Sequence, residues 1–231
     1  TIFFKIMNKI KIFLKNLSNK LIYLIKLKLL KDKQLIDLEK FYSSKDSLFD
    51  FDLKQESIVF DVGGFEGYYS KKIYDNYGCN IFIFEPHPLF YKKITNNFKG
   101  VSKVKLFNFG LSNRDFEINI SDKGAGSSVM NDVKNGTKVQ IRSITDFIYE
   151  SGIKRIDLIK LNIEGSEYEV LDDLFNNKLI RIIDNLLIQF HFVGDDSKLK
   201  RDLIQQKLSK THKKNFDYYF VWESWTRIKQ N

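Results

Sequence analysis

Several residues that can bind a nucleoside or move a proton occur where apolar runs of this sequence end. Asp61 ends one such run and is followed closely by Gly63, Gly64 and Gly67. Glycines at this spacing let the backbone turn tightly and approach a ligand closely. Glu85 ends the next apolar run, and a carboxylate at that place in an α/β sheet can accept hydrogen bonds from both hydroxyls of a ribose. The pattern predicts a site for a nucleoside-containing cofactor.

A second group of candidates lies further along the chain. Asn162 and Glu164 stand at the end of the apolar run 156–163, and His191 lies near the end of the run 184–192. An imidazole has an unperturbed pKa of about 6.5, so it is well matched to accept a proton near neutral pH. His191 is therefore predicted as the base, with Glu164 as the second candidate, either as a base or as the group that orients it.

These candidates come together only if the apolar runs are strands of one sheet. The runs alternate with helical segments, which is typical of a doubly wound α/β fold with mostly parallel strands and helices on both faces. Ligands bind such sheets at the carboxyl ends of the strands. The predicted strands are 57–61, 80–85, 103–109, 156–163 and 184–192, with 116–120 and 138–142 as a hairpin or as paired strands around a loop, and 216–223 with 226–229 closing the sheet. The predicted helices are 68–77, 89–98, 143–151, 167–176 and 198–210.

The composition limits the class of protein. With 231 residues, 43% of them hydrophobic, the chain is long enough for one large domain with its own core. The single cysteine, Cys79, excludes an intrachain disulfide framework and fits a reducing compartment, so a cytoplasmic location is expected. One cysteine and three widely spaced histidines also exclude a zinc finger. Cys79 precedes the second strand and is predicted to be a small buried hydrophobe rather than a nucleophile.

The net charge of +9 lies mostly in an N-terminal arm, because residues 1–45 contain eleven lysines and three acids. A nucleic-acid-binding domain carries its basic patch on the folded body, so no nucleic-acid partner is predicted. Apolar residues recur at helical spacing from Ile6 to Ile25, with most lysines off that stripe, which predicts a basic amphipathic helix. Lysines interrupt the segment too often for a transmembrane helix or the core of a signal peptide.

Three interpretations of the arm stay open. Residues 1–30 suit a peripheral contact with an anionic membrane, or docking to a partner. The helix can instead pack on the domain. The chain begins with Thr1 rather than Met, so the arm is also consistent with a piece of a larger protein. The predicted organisation is a basic helical arm and linker at 1–53, followed by one α/β domain at 54–231.

Three stretches carry a family resemblance. Residues 60–70 are similar to Asp-Val-Gly-Ala-Asn-x-Gly-x-x-Ser, residues 84–88 to a Phe-Glu-Pro segment, and residues 157–167 to Leu-Ile-Lys-Ile-Asp-Val-Glu-Gly-Ala-Glu. With their order and spacing, these make the chain from Ser57 to about Phe192 resemble the FkbM family of methyltransferases. The resemblance implies a Rossmann-like methyltransferase domain that uses S-adenosylmethionine. It also implies methyl transfer to a hydroxyl oxygen of a sugar, a glycan or another small metabolite.

The resemblance assigns roles to the candidate residues. Asp61, Gly63, Gly64 and Gly67 are placed at the methionine end of the cofactor, and Glu85 at its ribose. His191 is the expected base, with Glu164 and Asn162 beside it.

Two positions depart from the family pattern. The family's carboxylates are replaced by Asn162 and by Gln189, which hydrogen-bond but cannot accept a proton near neutral pH. Their loss argues against a divalent-metal site. It also leaves an alternative open, a degenerate protein of the same fold that binds a cofactor or partner without catalysis.

Other enzyme classes are disfavoured. A dinucleotide fingerprint needs glycine where Val62 stands, which argues against a nicotinamide-dependent oxidoreductase. Enzymes that methylate adenine amino groups resemble one another in a Pro-Pro loop, and cytosine carbon methyltransferases in a Pro-Cys nucleophile; neither pair occurs here. The sequence identifies neither the methyl acceptor nor the oligomeric state.

Overall fold

The chain divides into two compact units, Thr1–Lys45 and Asp46–Asn231. A computed structural model describes residues 19, 21, 22, 25, 26, 31–121 and 136–229. The sequence placed the boundary after residue 53. In the structure Leu53 is buried in a core of the second unit, against strands and helices of the α/β domain.

Most of the amphipathic stripe predicted from Ile6 to Ile25 lies outside the described residues. Its described apolar members, Leu21 and Ile25, are helical and exposed, as is the neighbouring Ile22. Within the part of the chain that the structure describes, no helix is both long and apolar enough to cross a membrane. The membrane contact of residues 1–30 therefore stays a prediction.

The α/β unit is built on a mostly parallel sheet, which confirms the predicted fold class. Its strands are β1 (Ile58–Val62), β2 (Asn80–Phe84), β3 (Val104–Phe107), β4 (Gly110–Ser112), β5 (Phe116–Ile120), β6 (Thr137–Ser143), β7 (Leu158–Leu161), β8 (Asn185–Ile188), β9 (His212–Tyr218) and β10 (Trp222–Arg227). The larger sheet has the order β3-β2-β1-β7-β8-β10-β9, parallel from β3 to β8 and antiparallel beyond. The chain leaves β1 toward β2 on one side and returns to β7 on the other. The carboxyl ends of β1 and β7 therefore border the switch in strand order, where ligands bind.

Helices cover both faces of this sheet. The first unit has a helix of its own, α1 (Lys33–Ser43), and the helices on the sheet of the α/β unit are α2 (Tyr68–Tyr77), α3 (Pro88–Asn97), α4 (Ile144–Ser151), α5 (Glu167–Asn176) and α6 (Ser197–Leu208), with a 3₁₀ turn at Leu179–Ile182. Polar side chains fix where several of them begin. The hydroxyl of Ser143, for example, accepts a hydrogen bond of 3.1 Å from the N–H of Asp146 and so caps α4.

Alternate residues of the central strands enter two separate cores. Phe60 and Phe84 lie in the core that includes α4 and α5, with ring centroids 5.2 Å apart. Val59 and Ile83 lie in the core on the opposite face, with α2 and α3. Because successive side chains of a strand point to opposite faces, a strand buried on both sides is apolar at most of its positions, and the exceptions in β1 and β7, Asp61 and Lys160, pair with each other. This is why the central strands read as continuous apolar runs.

The end of the larger sheet differs from the prediction. A strand was expected at 216–223 and another at 226–229, whereas the structure turns at 219–221 between β9 and β10. Phe220 adopts a left-handed φ of 52° in that turn. The sequence did not indicate this turn, because residues in left-handed turns are usually glycine or asparagine and position 220 is phenylalanine.

The fifth predicted strand is shorter than expected. It was predicted to reach Phe192, but β8 ends at Ile188, and the N–H of Gln189 makes a further hydrogen bond to Leu161 at 2.9 Å. The residues that follow leave the sheet at its carboxyl edge. His191 thus lies on a loop beyond the strand end.

A smaller sheet joins β4, β6 and β5 in that order. The predicted pairing of these two strands is confirmed, because β5 and β6 pair antiparallel from Phe116–Ile141 to Ile120–Thr137. The short β4 pairs parallel with β6. This sheet carries none of the predicted site residues.

Candidate active site

A glycine loop joins β1 to α2 at the carboxyl edge of the sheet. Gly63 and Gly67 have φ values of 85° and 83°, which side chains rarely tolerate. The N–H groups of Gly63 and Gly64 both donate to the carbonyl of Phe84 at the end of β2, at 3.0 and 3.2 Å. The loop is therefore fixed against the neighbouring strand.

The space around the first two glycines is filled by protein. A Cβ at Gly63 would lie 2.2 Å from the carbonyl oxygen of Asn162, and a Cβ at Gly64 would lie 2.4 Å from Ile83. From the sequence, these glycines were predicted to let the backbone approach a ligand closely. The structure gives a second reason, since they let the loop pack closely on β2 and on the end of β7.

Phe65 occupies the position where the resembling family has asparagine. Its φ is 50°, a left-handed conformation that asparagine adopts more readily than a bulky residue. The ring is 40% exposed and lies 4.4 Å from the ring of Phe90, centroid to centroid. Its N–H donates a hydrogen bond to the carboxylate of Glu85, so the strained backbone at Phe65 contributes a donor to the candidate site.

Glu85 follows β2 and accepts two backbone hydrogen bonds. Its Oε2 accepts from the N–H of Phe65 at 2.7 Å and its Oε1 from the N–H of His87 at 2.8 Å. An ionised carboxylate has about four lone-pair sites, so acceptor capacity remains for two hydroxyl groups. Burial raises the pKa of Glu85 to about 7, although the two N–H groups and the charge of Lys160 act against that rise.

Asp61 is fully buried and holds two partners. Its Oδ1 accepts from the ammonium of Lys160 at 2.9 Å, and its Oδ2 accepts from the hydroxyl of Ser70 at 2.6 Å. Lys160 also donates to the carbonyl of Gly63 at 2.8 Å. Lys160 is itself buried, with 4% of its surface exposed. Asp61 therefore acts on the glycine loop through Lys160, and it holds the first turn of α2 through Ser70.

His191 and Glu167 form the closest acid–imidazole contact at the carboxyl edge. Nδ1 of His191 lies 2.6 Å from Oε1 of Glu167, which is wholly buried. The same carboxylate accepts from the N–H groups of Ile163 and Gly165, each at 2.9 Å. An ionised carboxylate only accepts, so Nδ1 carries the hydrogen and the lone pair of the neutral ring lies on Nε2. Tyr168 donates to the carbonyl of His191 at 2.8 Å and fixes the loop.

Glu164 stands beside the other ring nitrogen. Its Oε2 lies 3.6 Å from Nε2 of His191, and its φ of 55° shows that the turn after β7 is strained. Burial lowers the pKa of His191, but the hydrogen bond and charge of Glu167 and the charge of Glu164 outweigh it, so the pKa is raised. Asn162 follows β7 and Gln189 follows β8, and both residues are half-buried.

Lys160 links the two halves of this edge. Its charge lowers the pKa of Glu85 on one side and that of His191 on the other. The sequence-predicted residues thus converge on the carboxyl ends of β1, β2, β7 and β8. Cys79 lies at the opposite end of β2, fully buried, as predicted.

Glu167 was not among the residues predicted from the sequence to form the site. It closes the most specific of the three matching stretches, three residues after Glu164, and a carboxylate at the start of a helix was the available signal. Among residues 31–121 and 136–229, and the few described in the arm, no group of three histidine, cysteine or acidic side chains is placed to hold a metal ion.

Fold and site together define a class of protein, a Rossmann-like enzyme domain that binds a nucleoside cofactor beside an imidazole–carboxylate pair. Residues 60–219 match the family described as the methyltransferase FkbM domain. The chain belongs to this family, as its motifs indicated, and is an S-adenosylmethionine-dependent methyltransferase.

Known proteins similar to the chain include the hexuronic acid methyltransferase AglP of Haloferax volcanii. The two are 25% identical over 172 residues, which cover 73% of this chain and 70% of that protein. Among solved structures, SMU.1697c of Streptococcus mutans in complex with SAH aligns at a TM-score of 0.47 and 11% identity, over 76% of this chain and 91% of that one. The fibrillarin pre-rRNA processing protein of Methanococcus jannaschii aligns at 0.45 and 9% identity, over 77% and 69%.

S-adenosylmethionine fits the residues present. A ribose carries two adjacent hydroxyl donors, and Glu85 retains acceptor capacity beside its two backbone donors. The glycine loop is fixed to β2 and places the N–H of Phe65 on the same carboxylate. Glu85 and the loop are the residues that would hold the cofactor.

Affinity for the cofactor is expected to depend on the charge of Glu85. Ribose hydroxyls donate to an ionised carboxylate, and with a pKa of about 7 this group is mostly protonated at pH 6 and mostly ionised at pH 8. Affinity for S-adenosylhomocysteine should therefore rise by about tenfold between these two values. Calorimetric titration at pH 6, 7 and 8 measures the effect.

Two variants assign that pH dependence. Glu85→Gln should bind about 10–100-fold more weakly, the loss expected for hydrogen bonds to a charged group, and its affinity should not change with pH. His191→Ala should keep the wild-type pH dependence. If Glu85→Gln binds as the wild type does, the ribose does not lie at the end of β2.

Proposed function

We propose that this methyltransferase transfers the methyl group to a hydroxyl oxygen of a sugar, a glycan or another small metabolite. The hydrogen bond of 2.6 Å between Nδ1 of His191 and the buried carboxylate of Glu167 carries the proposal. A hydroxyl must lose its proton as it is methylated, so it needs a base, whereas a carboxylate acceptor does not. The similarity to a hexuronic acid methyltransferase supports a sugar as the acceptor.

The roles of the residues follow from their positions. S-adenosylmethionine, when bound, supplies a methyl group on a sulfonium centre that is reactive toward oxygen nucleophiles. Nε2 of His191 accepts the proton of the acceptor hydroxyl, and Glu167 holds the imidazole in the correct tautomer and stabilises the imidazolium that forms. Glu164 lies beside Nε2 and is the second candidate for the base. Asn162 offers a hydrogen-bonding amide at the end of β7.

Two assays test this function. Calorimetry should show binding of S-adenosylmethionine and none of NAD. Release of S-adenosylhomocysteine should then be measured with panels of pyranosides, oligosaccharides and phenols. Turnover that requires a hydroxyl acceptor supports the proposal, and turnover only with amine or thiol acceptors contradicts it.

The alternative is a degenerate protein that binds the cofactor or a partner without catalysis. Asn162 and Gln189 favour it, because both stand where the resembling family has a carboxylate. Restoring the acids in Asn162→Asp and Gln189→Glu separates the two possibilities. A wild-type chain that binds S-adenosylmethionine but releases no S-adenosylhomocysteine, together with an active double variant, would establish the degenerate protein.

We also propose that residues 1–30 bind anionic membranes. Residues 1–30 contain seven lysines and no acidic residue, and each basic residue near an anionic surface is worth about 1 kcal/mol. Deletion of residues 1–30 should release the protein from vesicles that contain phosphatidylserine, as measured by co-sedimentation at low salt. Cofactor affinity should stay unchanged.

The charge contribution has its own control. Vesicles of phosphatidylcholine alone should bind the full-length chain weakly, and added salt should weaken binding to the anionic vesicles. A full-length chain that ignores anionic vesicles at low salt would leave packing or a protein partner as the role of the arm.

A further inference from the structure

Phe192 is an exposed aromatic residue directly beside the proposed base. It follows His191 on the loop after β8, and 61% of its surface is exposed. Phe192 is not part of the hydrophobic core. Phe190, two residues earlier, is the aromatic side chain that packs inward, and its ring centroid lies 5.3 Å from that of Tyr168. The loop thus presents one ring to solvent next to the reacting groups.

The ring of Phe192 packs against the ring of Phe220. It meets the ring of Phe220 edge-on, with centroids 5.6 Å apart and planes at 63°. Phe220 is buried in the turn between β9 and β10, and the guanidinium of Arg201 lies 5.5 Å from its centroid. Arg201 in turn pairs with Glu223 at 2.5 Å and with Asp217. A ring supported in this way loses little freedom when a ligand covers it.

The order of the strands places this ring on the acceptor side. The glycine loop and Glu85 lie at the ends of β1 and β2, and His191 lies beyond β8. If the hydroxyl of the acceptor lies between the cofactor and His191, we expect the rest of the acceptor to extend toward β8 and β10. The turn between β9 and β10, which carries Phe220, lies on that side of the same edge.

We propose that Phe192 is the platform on which a pyranose ring of the acceptor stacks, an inference that rests on the proposed function. A pyranose presents a face of C–H groups, and an aromatic face carries the partial negative charge that attracts them. Its hydroxyls point outward from the ring. Asn162, Glu164 and Gln189 supply amide and carboxylate groups at the neighbouring strand ends to bond those hydroxyls.

Kinetics with defined acceptors tests the platform. The probes are methyl glucopyranoside, methyl mannopyranoside, methyl glucuronoside and, as a planar comparison, catechol, with release of S-adenosylhomocysteine as the signal. Phe192→Ala should raise the KM for an accepted pyranoside by about tenfold, the loss typical of an aromatic contact, and leave cofactor affinity unchanged. Phe192→Trp should keep the wild-type KM. Tyr149→Ala, which removes a similarly exposed ring on α4, should behave as wild type.

Each other result overturns the inference. An unchanged KM in Phe192→Ala would show that the acceptor does not stack there, and turnover with catechol but with no pyranoside would exclude a sugar. Both outcomes leave O-methylation intact. A wild-type chain that binds no S-adenosylmethionine would remove the proposed function itself, and the platform with it.

Discussion

Replacement of His191 by alanine is expected to lower turnover by about 10²–10⁴-fold, the usual contribution of a general base. Affinity for S-adenosylhomocysteine should stay nearly unchanged, because the glycine loop and Glu85 lie at other strand ends. His191→Gln is the matched variant, since its amide can still donate to Glu167 but cannot take a proton. It should lose as much activity as the alanine variant. Turnover is measured with an accepted hydroxyl compound at saturating cofactor.

The pH–rate profile should report the same imidazole. The neutral ring is the active form, so turnover should rise with pH through the pKa of His191. The structure raises that pKa, because Glu167 and Glu164 outweigh the effect of burial, and the midpoint should therefore lie above the ordinary value of about 6.5. Both variants of His191 should lack this rise. Full activity with an unchanged profile in His191→Ala would transfer the role to Glu164 or to alignment without a base.

Glu167 is a positioning residue, and the pH–rate profile of a Glu167 variant tests this role. In Glu167→Gln the charge of Glu167 no longer raises the pKa of His191, so that pKa should be lower than in the wild type, although the charge of Glu164 still raises it. The midpoint should move to lower pH, while turnover falls because the tautomer is no longer fixed. A variant that loses turnover without moving the midpoint would show that Glu167 only holds the turn at Ile163 and Gly165.

The second large effect concerns the buried pair of Lys160 and Asp61. Lys160→Met leaves a fully buried carboxylate with Ser70 as its remaining hydrogen-bond donor. Removal of one partner from a buried ion pair costs about 3–5 kcal/mol, because the other charge stays uncompensated. Urea unfolding should show that loss of stability. Since Lys160 also holds the carbonyl of Gly63, cofactor affinity should fall too.

Two controls isolate the charge. In the double variant Lys160→Met with Asp61→Asn no buried charge is left unpaired, so most of the lost stability should return. Lys71→Met removes an exposed lysine that pairs with Asp75, and an exposed pair contributes about 0.3–0.5 kcal/mol. A loss below about 1 kcal/mol in Lys160→Met would mean that Asp61 finds another partner or a water.

The sequence determined the mostly parallel α/β sheet and the family. A strand that is buried on both faces is mostly apolar, so the central strands were visible as short apolar runs, and the polar residues at their ends marked the ligand edge. The predicted helix at 143–151 was located to within one residue, since Ser143 is the residue that caps α4. Gly63, Gly67, Glu85 and His191 were therefore found without knowledge of strand order.

The tertiary structure alone decided which of these groups touch. Lys160 and Asp61 are 99 residues apart, and His191 and Glu167 are 24 residues apart. Such contacts depend on which strands are neighbours and in what register, and neither is written in the local pattern of either segment. The turn at Phe220 was missed because a buried aromatic residue in a left-handed conformation is held by its packing rather than by its own preference. The sequence thus supplied the chemical groups and the edge on which they lie, and the packing of the sheet selected the pairs that can do chemistry.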